Sequence, residues 1–180
     1  PEHIAAKQPN PIAVGSFWTS AWDGRAWVAT GGQGAPVALL IHGGPITDDH
    51  LGGMDNLASA IAARGGKGIA IKYPTASATF EQSMAPLRAA VAKYKPTVLV
   101  GHSMGGYFGS LLSYETGLPF ICIAGDDIIM ETHRLAIGGP AARAKMRTAK
   151  NKVIVVTASL DAITTIAENQ ALVNALAASG

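Results

Sequence analysis

Hydrophobic positions recur along the chain in two rhythms. Short unbroken apolar runs appear at Val37-Ala38-Leu39-Leu40-Ile41, Gly68-Ile69-Ala70-Ile71-Lys72-Tyr73, Thr97-Val98-Leu99-Val100, Pro119 to Ala124 and Val153-Ile154-Val155-Val156-Thr157. Runs of this length, rich in β-branched residues and bounded by Gly or Pro, predict central strands buried on both faces. Between them the period lengthens. Met54, Leu57, Ala58, Ile61 and Ala62 recur at helical spacing from Met54 to Arg64, stopped by Gly65-Gly66. Leu87, Val91 and Tyr94 share one face of a second helix from about Ser83 to Tyr94, which has room for Pro86 only in its first turn. Tyr107 to Leu112 can be helical, and Thr165-Ile166-Ala167-Glu168 reads as a capping box opening a helix to about Ala178.

The chain starts differently. Pro1 to Pro11 reads as an extended tail. Val14 to Trp22 and Arg25 to Thr30 are β-rich runs joined by Asp23-Gly24, a strong hairpin signal. Trp18 and Trp22 fall on one face of that hairpin at period two and are read as packing against the sheet, with lining a ligand site as the alternative. Strands alternating with helices then predict an α/β fold: a mostly parallel sheet with helices on both faces and an N-terminal β-hairpin. Residues 1–180 read as a single domain, with a looser, lid-like insertion at about 125–152.

Composition narrows the class. The chain has 180 residues, 48% hydrophobic and 14% charged, which fits a compact core rather than disorder. A net charge of +2 is too small to point to nucleic acid or an anionic membrane surface. No apolar run reaches the length of a membrane span. Cys122 is the only cysteine, expected as a buried strand residue, and the redox compartment stays open. No clustered His/Cys set implies a metal or a cofactor. Arg143, Lys145, Arg147, Lys150 and Lys152 form a basic run without acidic residues, read as a solvated helix face, with a lid or an anion-attracting patch as the alternative. The chain begins at Pro1 rather than Met, as expected if a leader has been removed.

The chemistry concentrates where the third of these apolar runs ends. Thr97-Val98-Leu99-Val100 leads into Gly101-His102-Ser103-Met104-Gly105-Gly106 and then into a helix-compatible segment. A serine between glycines at a strand-to-helix turn is the pattern of a nucleophile elbow: the turn strains the serine backbone and leaves no room for neighbouring side chains. Here the sequence resembles the α/β-hydrolase superfamily, esterase- and lipase-like members of which carry the same Gly-His-Ser-Met-Gly-Gly run. The opening hairpin also looks like the one that begins many of them.

The resemblance implies roles. Ser103 would be the nucleophile of a carboxylic-ester hydrolase. The backbone N–H of Met104 would be one oxyanion donor, and the Gly43-Gly44 region after an earlier strand, Gly44 in particular, would supply the other. Asp161, after the strand that follows the insertion, matches the position of the triad acid, with Asp126 and Asp127 as fallbacks. The family's histidine follows a final strand beyond the last helix seen here, and no histidine follows His133. His3 lies in the tail. His42 and His102 occupy positions that are structural in the family. His133, folding over the site from the insertion, and secondarily His50, in the loop after Gly44, are the candidate bases.

Three readings therefore stay open. The chain is a truncated hydrolase whose missing end carries the base, a hydrolase with a relocated histidine, or a hydrolase-fold binding or structural subunit with an incomplete triad. A missing edge strand would leave an unpaired rim and exposed apolar surface, suited to self-association or an assembly partner. The expected small-molecule partner is an ester or acyl substrate.

Overall fold

In the computed structural model of the protein, residues 18–22, 27–32, 34–44, 51–75, 78–124, 153–156 and 174 are described, those of 18–22 and 27–31 by their backbone. Their strands are β1 (Trp18–Trp22), β2 (Trp27–Gly31), β3 (Val37–Ile41), β4 (Lys67–Ile71), β5 (Val98–His102), β6 (Phe120–Ile123) and β7 (Val153–Val156). All seven belong to one sheet in the order β1-β2-β4-β3-β5-β6-β7. From β4 to β7 every neighbouring pair is parallel, while β1 and β2 form an antiparallel hairpin attached antiparallel to β4.

This order follows from the helices. α1 (Met54–Ala63) carries the chain from β3 outward to β4, and α2 (Phe80–Tyr94) carries it back across the sheet to β5. Right-handed crossovers in opposite directions put these two helices on opposite faces. The alternation of each strand shows it. Ala38, Leu40, Ala70 and Val100 meet Met54 and Ala58 of α1 on one face. On the other, Leu39, Ile41, Ile69, Ile71 and Leu99 meet Met84 and Leu87 of α2 together with Phe108 and Leu112 of α3 (Met104–Thr116). The direction of connection reverses between β3 and β5, so a crevice opens at their carboxyl ends, the usual ligand position in such sheets.

The fit of α1 on β4 is close enough to exclude a methyl group. A Cβ on Gly68 would collide with the Ala58 backbone and come within 2.8 Å of the Ala58 Cβ. α2 and α3 are tied at the surface, where Arg88 donates from Nε and Nη2 to both Glu115 carboxylate oxygens at 2.8 and 2.7 Å and from Nη1 to Glu81 at 2.7 Å.

One expectation needs correction. α2 starts at Phe80 rather than near Ser83, because Thr79 caps it: the Thr79 hydroxyl accepts from the Gln82 N–H at 3.3 Å, and Gln82 Oε1 accepts from the Thr79 N–H at 2.7 Å. Pro86 consequently lies beyond the first turn, and the Gln82 carbonyl loses its helical donor, at an exposed residue. The expected hairpin forms, its strands pairing from Trp18–Gly31 to Trp22–Trp27, while residues 14–17 and 23–26 of the expected runs and turn lie outside the described residues. The expected tail, the insertion at 125–152 with its basic run, and the helix expected from Thr165 to Ala178, apart from Asn174, lie outside the described residues.

Gly68→Ala should destabilise the fold by about 1–3 kcal/mol or somewhat more, since α1 must shift off the sheet to admit the methyl group. Chemical denaturation of wild type and variant measures this directly, and an unchanged midpoint would contradict the contact.

Candidate active site

Ser103 stands alone between β5 and α3, with φ 53° and ψ −122°. That region is unfavourable for a residue with a side chain and costs about 1–3 kcal/mol. The surroundings hold it there. The Ser103 N–H donates to the Ile123 carbonyl at 3.0 Å, and the Ser103 carbonyl accepts from the Gly106 N–H at 2.7 Å. One bond anchors the serine to β6 and the other to the first turn of α3.

The bracketing glycines are required by contact. A Cβ on Gly101 would collide with the Gly105 carbonyl oxygen. On Gly105 it would collide with the Ile41 carbonyl oxygen and stand 2.5 Å from that of His42. The first turn of α3 therefore rests directly on the end of β3. Met104 is the first residue of α3. The opening N–H groups of a helix lack intrahelical partners and carry the positive end of its dipole, so donor character accumulates beside Ser103.

The segment after β3 lies against the serine. A Cβ on Gly43 would stand 3.0 Å from the Ser103 Cβ and 3.3 Å from His102 Nδ1, whereas one on Gly44 would meet nothing within 4 Å. The close approach that the sequence assigns to the Gly43-Gly44 pair thus belongs to Gly43, and Gly44 faces open space.

His42 is 1% exposed, with its ring stacked on Tyr73 at 4.3 Å between centroids. Its Nε2 accepts from the Tyr73 backbone N–H at 3.3 Å, and Nδ1 lies 2.7 Å from the Gly43 carbonyl oxygen. Both ring nitrogens are thus engaged by backbone groups, of Tyr73 and of Gly43. The Tyr73 hydroxyl donates to the His42 carbonyl at 2.9 Å, and burial pushes its phenol pKa well up, so it stays a donor. Tyr73 is the residue the sequence reading missed. Its only signal was a polar aromatic at the carboxyl end of a buried strand. His102 is half-buried beside Ser103, with Nδ1 against Gly43.

Asp161, Asp126, Asp127, His3, His50 and His133 lie outside the described residues. What the structure brings together is Ser103, Met104, Gly43 and Gly44, with His42 and Tyr73 beneath them. β6 and β7 run parallel to β5, so Ile123 and Val156 end on the rim where Ser103 sits. Among the described residues, no group of three or more His, Cys, Asp or Glu is placed to hold a metal ion, and no helix is long and apolar enough to cross a membrane.

Replacing Ser103 by glycine and by alanine separates strain from chemistry. Ser103→Gly should unfold at higher denaturant than Ser103→Ala, by about 1 kcal/mol, because only glycine relaxes at this φ. Equal stabilities in chemical denaturation would mean the turn at Ser103 is not strained.

No family model matches the sequence, and no curated protein matches it. Solved structures do. Esterase B from Lactobacillus rhamnosis, in a phosphonate-inhibited form, superposes with a TM-score of 0.69 at 15% identity, over 99% of this chain and 75% of that one. MGS-MChE2, an α/β hydrolase from the metagenome of lagoon sediments at Mar Chica, Morocco, gives 0.68 at 16% identity, over 88% and 83%. A hormone-sensitive lipase from a metagenome library gives 0.65 at 16%, over 99% and 76%. Identities this low speak to architecture, and the strand order and the parallel sheet agree with it: the chain has the α/β-hydrolase fold.

Proposed function

We propose that the protein is a serine hydrolase acting on carboxylic esters through an acyl-enzyme. The observation that carries this is the Ser103 backbone at φ 53° and ψ −122°, wedged between glycines whose Cβ atoms would not fit. A serine with no task gains nothing from such a conformation, and strain of this kind concentrates at functional sites. The solved esterases and lipases that share the fold support the same reading.

In this mechanism Ser103 Oγ attacks the ester carbonyl carbon while an imidazole takes its proton. The developing oxyanion is met by the N–H groups of Met104 and Gly44. Collapse of the tetrahedral intermediate expels the alcohol, which takes the proton from the imidazole. Water then attacks the acyl-enzyme by the same route and frees Ser103. Asp161 orients the imidazole, and His133 is the preferred base, with His50 next. The competing reading is a hydrolase-fold binding subunit that performs no chemistry.

Hydrolysis of p-nitrophenyl acetate and butyrate by the wild type, Ser103→Ala, His133→Ala, His50→Ala and Asp161→Asn distinguishes the two. The expected outcome is turnover that Ser103→Ala and one histidine variant reduce by about 10³-fold or more. Turnover indifferent to Ser103→Ala would overturn the catalytic reading, and folded wild type without turnover would favour a truncated or a non-catalytic chain.

A further inference from the structure

Beneath the site, the buried Tyr73–His42 pair holds two successive carbonyl oxygens of the loop beside Ser103. We propose that Tyr73 is a positioning residue that, through His42, sets the orientation of the Gly43–Gly44 peptide and so aims the Gly44 N–H. The inference rests on the hydrolase reading above for its catalytic consequence, though not for the clamp itself.

The tautomer comes first. A backbone N–H can only donate, so the Tyr73 N–H at 3.3 Å requires His42 Nε2 to be unprotonated. The ring proton of neutral His42 therefore sits on Nδ1, where it donates to the Gly43 carbonyl oxygen at 2.7 Å. That bond turns the Gly43 carbonyl toward a ring that is 1% exposed. In a planar trans peptide the C=O and the following N–H point in opposite directions. The Gly44 N–H is consequently turned away from the buried ring, at a residue where an added Cβ would meet nothing within 4 Å.

The preceding carbonyl is held as well. The Tyr73 hydroxyl donates to the His42 oxygen at 2.9 Å, the same oxygen that crowds a Cβ on Gly105. The Tyr73 ring also meets Phe108 of α3 edge-on at 5.4 Å and 77°. Tyr73 therefore touches both halves of the site: the segment after β3 and the helix that begins at the elbow. A phenylalanine at this position would keep the stack and the edge contact and lose only the hydroxyl. That separates positioning from plain core packing.

The test compares wild type with Tyr73→Phe by kcat and KM on p-nitrophenyl acetate, by thermal unfolding, and by NMR of the His42 imidazole nitrogens and the Gly44 amide. The expected result is a kcat lower by about tenfold with KM little changed, the scale of one lost hydrogen bond acting in the transition state. It also includes an Nδ1–H tautomer in the wild type and a shifted Gly44 amide resonance in the variant. His42→Asn, whose side-chain amide can still donate to the Gly43 oxygen, should retain more activity than His42→Ala. An unchanged kcat in folded Tyr73→Phe overturns the proposal, as does an Nε2–H tautomer in the wild type or equal losses in the two His42 variants. If the wild type hydrolyses no ester, the hydrolase reading falls by itself and the NMR arm decides the clamp. A Gly44 resonance that moves in Tyr73→Phe supports it, and one that stays overturns it.

Discussion

The structure depends on how closely the start of α3 approaches the end of β3. The backbone at Gly105 lies directly on the carbonyl oxygens of Ile41 and His42, and Gly101 faces the Gly105 carbonyl without space for a side chain between them. Only a chain free of Cβ atoms at these points can bring two parallel strand ends and a helix terminus into such contact. The crossing leaves a single residue to turn the chain, and Ser103 takes the strained angles that result. Bonds to the Ile123 carbonyl and from the Gly106 N–H keep it there.

The same crossing brings the polar groups of the site into register. β3 and β5 are hydrogen-bonded neighbours, with Ile41 opposite Gly101, so the segments that follow them emerge side by side. That is why Gly43 comes against Ser103. Burying His42 under this segment would be costly were its nitrogens unpartnered. Tyr73 and the Gly43 carbonyl satisfy them, so one polar cluster both remains buried and fixes the backbone above it.

Much of this was legible in the order of residues. The five parallel strands and the helices between them follow from unbroken apolar runs and helical spacing, signals that lie within each segment. The strained turn was legible for the same reason, since the strain on Ser103 and the need for Gly101 and Gly105 are properties of one tight turn. The misplaced start of α2 shows the limit of apolar spacing as a guide. Its first turn is set by Thr79 and Gln82, polar residues ahead of the stripe formed by Leu87, Val91 and Tyr94, whereas Pro86 by itself argues for a later start. The capping signal was present, and the apolar pattern outweighed it.

The sequence alone determined the strand–serine–helix turn and the side of the sheet on which chemistry would sit, because both arise from local backbone geometry and from the rule that parallel strands share a carboxyl rim. Only the tertiary structure decided which glycine lies against Ser103, and that Tyr73 and His42 join beneath it. Those contacts link residues 31 positions apart for Tyr73 and His42 and 60 for Gly43 and Ser103, and depend on the sheet order β4-β3-β5, which no single segment encodes. The physical reason is distance along the chain: strain is written where it occurs, whereas a buried hydrogen bond between two strand ends exists only once the strands have paired.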